Sequence, residues 1–191
     1  MNSYKEIETY LHLTGGDISY IGVTYLGHPI PIITKGRGCS DKRILLVGGV
    51  HAREYITSYL LFELIKEYDG DCIIDCVPIL NIDGVLLCRR GLNIFKNKDL
   101  CKELLGLNDN NPDFSLWKAN IRGVDINVNF DTDWGQGEQN ILYPAAANYI
   151  GAHPHSEKET LAIVELLKKK DYNMIAAYHS KGEEVYYGYK D

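Results

Sequence analysis

Short apolar runs alternate with segments of helical period along this chain. Arg43–Val47 and Met174–Tyr178 are short apolar runs, which is typical of buried strands. Tyr55–Tyr68 places its apolar residues at helical spacing and predicts an amphipathic helix. This alternation of strands and helices predicts an α/β fold with a mixed, mostly parallel sheet flanked by helices.

The first half of the chain continues this pattern. Tyr4–Leu13 predicts a short amphipathic helix, which ends at the glycine pair that begins with Gly15. Ile18–Leu26 and Ile30–Thr34 alternate in polarity and predict two strands separated by a turn. Ile73–Leu80 predicts a further buried strand. Together with Arg43–Val47, these segments predict four strands before residue 91.

The second half is less regular. Asn81–Gly84 is a turn signal, and Gly91–Asn120 shows no clear pattern. Gly123–Phe130 predicts a short strand and its exit loop. Ser156 and Glu159 form the two ends of a capping box, which predicts a helix that begins at this serine and runs to the lysines at 168–170.

Composition and charge narrow the class of protein. The chain has 191 residues, 45% hydrophobic and 24% charged, so residues 1–191 are expected to form a single globular domain. The formal net charge of −6 argues against a nucleic-acid partner. No apolar run approaches the ~18 residues of a membrane span, and no secretory signal is visible.

The five cysteines are odd in number and irregular in spacing, which argues against a disulfide framework. We therefore expect free thiols in a reducing compartment and a cytoplasmic location. The cysteines are Cys39, Cys72, Cys76, Cys88 and Cys101.

Three side chains with metal-binding chemistry follow predicted strands. His51 and Glu54 come just after Arg43–Val47 and two glycines, and His179 comes at the end of Met174–Tyr178. Open α/β sheets bind ligands at the carboxyl ends of their strands. Two histidines and one glutamate form the ligand set of a catalytic zinc ion, with a fourth position left for water. Taken alone, the histidine and glutamate three residues apart could instead form a surface salt bridge.

Several segments together resemble the zinc carboxypeptidase family. The segment from Gly48 to Thr57 resembles its zinc-binding motif, and Tyr178-His179-Ser180 resembles its third zinc ligand. Asn81–Gly84, Arg122–Phe130 and Pro154–Thr160 resemble three further family motifs in the same order. The resemblance implies a zinc carboxypeptidase-like fold, peptide hydrolysis and one zinc ion held by His51, Glu54 and His179.

One branch of the family is closest. Trp117–Asn120, Asn127–Asp131 and His179–Glu183 are similar to bacterial γ-D-glutamyl-L-diamino-acid peptidases. This resemblance implies a peptide substrate, the stem peptide of peptidoglycan, which these enzymes cut between D-glutamate and a diamino acid such as diaminopimelate.

The resemblance also assigns roles to other residues. Arg122 matches an arginine that stabilises the oxyanion, and Asn127 matches a substrate-binding residue. Arg53 either binds substrate or forms a salt bridge. Apart from the resemblance, Asp125 lies two residues before Asn127 and should share its face of a strand, either as a partner of a zinc-binding histidine or as a buried structural acid. From charge alone, Lys181 with Glu183 suits a substrate that carries both carboxylates and amines.

Two departures from the family pattern lead to further expectations. Carboxypeptidases carry an arginine for the substrate's terminal carboxylate where this chain has Val128. The family's general-base glutamate lies several dozen residues after the third ligand, whereas only 12 residues follow His179. We therefore expect that the C-terminal part of the domain is missing, that this chain hydrolyses amides poorly, and that the exposed face favours self-association. A carboxypeptidase acting on ordinary peptides and an inactive zinc-site module that binds cell-wall peptides are the alternatives.

Overall fold

The computed structural model describes residues 1, 3–186 and 188. Within these residues the strands are β1 (Asp17–Val23), β2 (Pro29–Lys35), β3 (Arg43–Val47), β4 (Ile73–Val77) and β5 (Met174–Ala177). The α-helices are α1 (Tyr4–Leu13), α2 (Ile56–Glu67), α3 (Ile82–Arg90), α4 (Lys98–Leu107) and α5 (Lys158–Lys169). Short 3₁₀ turns cover Ala52–Glu54, Gly91–Ile94 and Ile126–Val128.

The five strands form one mixed sheet in the order β1-β2-β4-β3-β5. β2 pairs antiparallel with both β1 and β4, whereas β3 pairs parallel with both β4 and β5. The predicted α/β class and mixed sheet are confirmed. The parallel half of the sheet matters most for function, because the carboxyl ends of β3 and β5 lie side by side.

A single large core joins the sheet to its helices. Leu45 of β3 and Leu61 and Ile65 of α2 are fully buried in it. On β1, a Cβ at Gly22 would lie 2.9 Å from the Cβ of Ala162 in α5, so this glycine allows the helix to approach the strand closely. The core therefore joins α2 to β3, and α5 packs closely on β1.

The turn predicted at Asn81–Gly84 is wrong, because α3 begins there. The Asn81 side chain accepts a hydrogen bond from the Gly84 amide at 3.1 Å and caps the helix. Asparagine favours turns and helix N-termini for the same reason, since its side chain bonds to a nearby backbone amide. A second asparagine, Asn97, likewise caps α4 inside the region that showed no pattern.

The strand predicted within Gly123–Phe130 is also wrong. Asp125 instead accepts a hydrogen bond from the Asn127 amide at 3.2 Å and closes the 3₁₀ turn Ile126–Val128. This local bond competes with an extended conformation. Asp125 and Asn127 therefore do not share the face of a strand, and the Asp125 carboxylate turns inward.

The capping box is wrong by one residue. α5 has Glu157 at its N-cap, and the predicted cap, Ser156, instead accepts a hydrogen bond from the Asn129 side chain at 3.0 Å. The Ser156 hydroxyl donates to Glu157 at 2.8 Å. A tertiary contact has thus taken the hydroxyl that the local pattern assigned to the helix.

The sequence led to expectations about membrane-spanning helices and about cysteine pairing. Among the described residues, no helix has both the length and the apolar character needed to cross a membrane. All five cysteine side chains lie in the described part of the chain, and none is in a disulfide.

Candidate metal centre

The first two candidate ligands lie in a tight loop after β3. Gly49 has a φ of +57°, and a Cβ there would lie 2.6 Å from the Ser58 hydroxyl, so only glycine fits without strain. The 3₁₀ turn Ala52–Glu54 follows His51 directly and brings the side chains of His51 and Glu54 to the same side. Both side chains are buried.

The third candidate, His179, arrives from β5. The Tyr178 amide donates to the Val47 carbonyl at 2.8 Å, which continues the parallel pairing of β5 with β3 past the strand end. His179 therefore emerges beside the loop that carries His51. Its side chain is 29% exposed, so it forms the open side of the cluster.

The three side chains converge. His51 Nδ1 lies 3.0 Å from Glu54 Oε1 and 3.1 Å from His179 Nδ1, and His179 Nδ1 lies 2.9 Å from Glu54 Oε2. A tetrahedral zinc ion with bonds of about 2.0–2.1 Å separates its ligand atoms by about 3.3 Å. The spacing of the three groups is therefore close to that of a zinc coordination shell.

The chemistry of this donor set also fits a metal ion. Two imidazole nitrogens 3.1 Å apart cannot both carry a hydrogen, so at least one presents a bare lone pair to the other. A cation placed between the two nitrogens and the carboxylate would satisfy all three groups at once. Two histidines and a glutamate form the set of a catalytic zinc site.

Charged groups in and beside the cluster shift the pKa values of Glu54 and His51. Burial alone would raise the pKa of Glu54, but hydrogen bonds from His179 and His51 outweigh burial and lower it far below its usual value. Burial would lower the pKa of His51, but the carboxylates of Asp125 and Glu54 outweigh burial and raise it. Glu54 is therefore held as the anion, which is the form that binds a metal.

Asp125 and Lys118 lie behind His51, on the buried side of the cluster. Asp125 is fully buried, and its Oδ1 lies 3.3 Å from His51 Nε2. Its Oδ2 lies 2.6 Å from the Lys118 ammonium. Burial would raise the pKa of Asp125, but His51 and Lys118 outweigh burial and lower it. Of the two roles that the sequence left open for Asp125, this position favours contact with a metal-site histidine.

The other predicted site residues do not join the cluster directly. Among the described contacts, Arg53, Arg122, Asn127 and Lys181 form no hydrogen bond or ion pair with the three candidate ligands. Arg122 lies 3.7 Å from Glu157 and is half exposed, and Arg53 donates to the Leu116 carbonyl at 3.5 Å. Asn127 contacts the cluster only through its backbone, which donates to Asp125, and Lys181 is exposed.

Sequence reasoning gave no role to two residues beside the cluster. Lys118 holds Asp125, and the Asn148 amide donates to the same carboxylate at 3.2 Å. Lys118 does lie in the segment Trp117–Asn120 that resembles the peptidoglycan branch, so a signal was present. Asn148 lies 23 residues from Asp125 in sequence, and no local pattern points to it.

Comparison with known proteins agrees with this geometry. Residues 17–191 match the family described as zinc carboxypeptidase. The chain belongs to the zinc carboxypeptidase family. The zinc ion that this family name specifies is the ion that the His51, Glu54 and His179 cluster suits.

Curated relatives of this chain are named for two different peptidase activities. Gamma-D-glutamyl-L-diamino acid endopeptidase 1 of Lysinibacillus sphaericus is 30% identical over 211 residues, covering 100% of this chain and 52% of the relative. Mast cell carboxypeptidase A of Rattus norvegicus is 24% identical over 186 residues, covering 88% of this chain and 41% of the relative. The chain thus spans about half the length of the curated relatives it matches.

Solved structures support the fold. Bovine thrombin-activatable fibrinolysis inhibitor, in complex with tick carboxypeptidase inhibitor, superposes with a TM-score of 0.75 at 19% identity. The match covers 98% of this chain and 63% of the bovine chain. At this identity the likeness shows the carboxypeptidase fold and carries no information on substrate.

Proposed function

We propose that this chain forms the metal-binding part of a zinc peptidase that hydrolyses a γ-D-glutamyl-diamino-acid amide bond in peptidoglycan stem peptides. The single observation that carries the zinc assignment is the convergence of His51 Nδ1, His179 Nδ1 and the Glu54 carboxylate within 2.9–3.1 Å of one another. The substrate assignment rests on the Lysinibacillus relative and on the sequence segments that resemble this branch.

The roles of individual groups follow from their chemistry. His51, Glu54 and His179 would hold a zinc ion, which would supply Lewis-acid polarisation of the scissile carbonyl and a water molecule of lowered pKa. In our proposal the Arg122 guanidinium stabilises the negative charge that develops on the carbonyl oxygen. The buried carboxylate of Glu157, 3.7 Å from this guanidinium, orients it, since an exposed arginine otherwise samples many rotamers.

Substrate contacts come from polar groups on the exposed side. Asn127 is exposed, while its backbone is fixed by the buried Asp125 carboxylate, so its amide is presented from a rigid turn. Arg53 and Lys181 add positive charge. A stem peptide carries several carboxylates, and two cations at the edge of the site would attract and orient them.

The experiment compares a peptide linked through the γ-carboxyl of D-glutamate to diaminopimelate with the same peptide linked through the α-carboxyl. Calorimetry measures how tightly the zinc-loaded chain binds each peptide, and mass spectrometry measures the release of diaminopimelate. The His51→Asn variant is the control. We expect preferential binding of the γ-linked peptide. Any release of diaminopimelate should be lost in His51→Asn, because that substitution removes one of the candidate metal ligands.

Other outcomes would change the assignment. Equal binding of both peptides would contradict the proposed substrate. Tight binding with no turnover at all would favour the inactive zinc-site module. Release of C-terminal residues from ordinary peptides would favour a carboxypeptidase like the mast cell relative. Val128 argues against that last outcome, because valine cannot form the two-pronged contact that an arginine makes with a terminal carboxylate.

Self-association is a further part of the proposal. Within the described residues, β5 pairs only with β3, and its Met174 and Ile175 side chains are 52% and 53% exposed. An unpaired apolar edge strand is a ready site for a second chain. Sedimentation should show a dimer that Ile175→Lys weakens, and a monomer at all concentrations would contradict it.

We also propose a cytoplasmic location, which rests on the unpaired cysteines. Cys76 is fully buried and Cys39 is exposed, yet neither has a disulfide partner. Thiol titration of the unfolded, unreduced protein should find all five cysteines free. A count of one or three would indicate an oxidising compartment.

A further inference from the structure

Asp125 lies behind the candidate metal ligand His51. His51 Nδ1 faces Glu54 and His179, whereas Nε2, on the opposite side of the ring, lies 3.3 Å from Asp125 Oδ1. Histidines that bind metal through one nitrogen commonly donate the other N–H to a carboxylate, which fixes the ring and its tautomer. His51 Nε2 is buried and forms no hydrogen bond of good geometry with the described residues, so the Asp125 carboxylate at 3.3 Å is the group placed to hold the ring.

The Asp125 carboxylate is itself fixed by three further groups. Its Oδ1 accepts from the Asn127 amide at 3.2 Å, and its Oδ2 accepts from the Asn148 amide at 3.2 Å. The Lys118 ammonium lies 2.6 Å from Oδ2. In the described part of the chain, Lys118 is the one lysine or arginine that forms an ion pair with this carboxylate.

Lys118 is unusually well anchored for a lysine. Its side chain is only 16% exposed, and its ammonium also donates to the Asn148 side chain at 3.1 Å. Its carbonyl accepts from the amide of Ala52, the residue after His51, at 3.0 Å, and its own amide donates to the Ala146 carbonyl at 3.0 Å. One residue thus contacts both the loop of the metal ligand and the carboxylate behind that ligand.

A fully buried carboxylate needs a compensating charge. His51 is neutral when it binds a metal, because its coordinating nitrogen must be unprotonated. Lys118 then supplies the full positive charge beside Asp125 Oδ2, 2.6 Å away, and this contact keeps the carboxylate aimed at His51 Nε2. Without that contact the carboxylate would be expected to rotate toward water and lose its hold on the imidazole.

We propose that Lys118 is a positioning residue for the zinc centre: its ammonium fixes the Asp125 carboxylate, which holds the His51 ring with Nδ1 directed at the metal. This inference rests on the proposed zinc site. It adds to that site a requirement for one specific cation that does not touch the metal.

The test measures zinc affinity by competition with a chromophoric chelator in the full chain. Lys118→Met removes the charge, Lys118→Arg keeps it, and Lys170→Met is the matched control. Lys170 pairs with another buried carboxylate, Asp75, at 3.0 Å, and that carboxylate lies away from the metal site. We expect Lys118→Met to lose ~10–100-fold in zinc affinity. Lys118→Arg should stay within ~3-fold of the wild type, and Lys170→Met should keep its affinity.

A second readout separates positioning from general stabilisation. Nitrogen–proton spectra of the histidine-labelled, zinc-loaded protein report which ring nitrogen of His51 carries the hydrogen and which one is free to bind the metal. The wild type should hold it on Nε2, and Lys118→Met should show a mixture of tautomers. Should Lys118→Met fail to fold, Lys118→Gln, which keeps a hydrogen-bond donor, decides by the same two criteria.

Several outcomes would overturn the inference. The first is that Lys118→Met binds zinc as tightly as the wild type. The second is that Lys170→Met loses as much zinc affinity as Lys118→Met does. The third is that Lys118→Met loses zinc affinity while the tautomer of His51 stays unchanged. The failure of the proposed function looks different: the wild-type chain would then bind no zinc, or would bind it equally well after substitution of His51 or His179.

Discussion

Asp75 and Asp125 are both fully buried aspartates beside a lysine, yet their surroundings differ in kind. Asp75 is surrounded only by donors: the Tyr172 hydroxyl at 2.8 Å, the Arg43 guanidinium at 2.8 Å and the Lys170 ammonium at 3.0 Å all reach its Oδ2. Asp125 has donors on one side and His51 on the other. Beyond His51 lie further electron-pair donors.

The difference separates a structural network from a functional one. The Asp75 network needs no further ion, because each of these groups donates to the carboxylate and none of them offers a lone pair to another. The Asp125 network leads to His51 Nδ1, His179 Nδ1 and Glu54, three groups that offer lone pairs to one another at 2.9–3.1 Å. Such a cluster needs a proton or a metal ion. The structural network lies toward the amino ends of the parallel strands, and the functional one lies at their carboxyl ends.

Removal of one metal ligand should give the largest effect. Structural zinc sites contribute roughly 10–16 kcal/mol in small peptides, so one ligand of three should account for ~4 kcal/mol, about a thousand-fold in affinity. We expect His179→Ala to lose zinc affinity by this factor in a chelator competition. The folded state should survive, because His179 is 29% exposed and follows the last strand.

Asp75→Asn is the matched comparison for that experiment. If the two networks differ as we describe, it should leave zinc affinity unchanged while it lowers stability. A loss of zinc affinity in Asp75→Asn equal to that in His179→Ala would show that the two networks are not independent.

The same substitution should lower the free energy of unfolding by about 4 kcal/mol at pH 7, since it leaves Arg43 and Lys170 without their buried counter-charge. Burial opposes ionisation of Asp75, but its donors outweigh burial and lower its pKa. The stabilisation is therefore complete above the unfolded value near 3.8 and is lost as pH falls below it. Urea unfolding of the variant and the wild type at pH 7 and at pH 3 measures the loss of stability and its decrease at low pH.

An exposed ion pair provides the control. Asp69 lies on the surface and pairs with Arg37 at 2.7 Å, and exposed pairs contribute little to stability. Asp69→Asn should leave the urea midpoint almost unchanged. A loss in Asp69→Asn as large as in Asp75→Asn would mean that burial is not the cause of the difference.

The sequence predicted the candidate metal ligands better than it predicted the residues that hold those ligands in place. His51 and His179 were expected together because both follow strands, and the carboxyl ends of parallel strands meet at one edge. Lys118 lies 67 residues after His51 in the sequence, and its contact with Asp125 depends on how two loops fold against each other. Hydrophobic periodicity carries no information on such contacts between loops.

The errors in the fold share a physical cause. Asn81 and Asp125 each bond to a backbone amide two or three residues ahead, and this bond opens a helix in one case and a 3₁₀ turn in the other. The local pattern cannot decide between these results, because the side-chain chemistry is the same. Ser156 shows the opposite effect, where Asn129, 27 residues away, takes the hydroxyl from the predicted cap.

A third buried acid should give the smallest effect, and within the described part of the chain no ion pair compensates it. Glu159 is 1% exposed, its Oε1 has no hydrogen-bond partner among the described residues, and its Oε2 accepts from the Asn120 side chain at 3.4 Å. Burial, together with the nearby charges of Asp83 and Glu157, raises its pKa from 4.5 to about 7. Unlike Asp75 and Asp125, Glu159 is therefore destabilised as an anion.

The sign of the resulting pH dependence is opposite to that of Asp75. Below pH 4.5 Glu159 is protonated in both the folded and the unfolded chain, so it has no net effect. Between pH 4.5 and about 7 the folded chain keeps a proton that the unfolded chain has lost, so stability falls as pH rises. Above that range the full penalty, about 3 kcal/mol, is present.

Glu159→Gln should remove this penalty, because a neutral amide has no charge to bury and still offers an oxygen to Asn120. We expect the variant to be about 2–3 kcal/mol more stable than the wild type at pH 8 and equal to it at pH 4. Glu165→Gln, on the exposed side of the same helix, should keep the wild-type pH dependence. A Glu159→Gln variant that is less stable at pH 8 would show that an unseen cation or proton donor compensates the carboxylate, and Glu159 would then belong with Asp75 as part of a complete network.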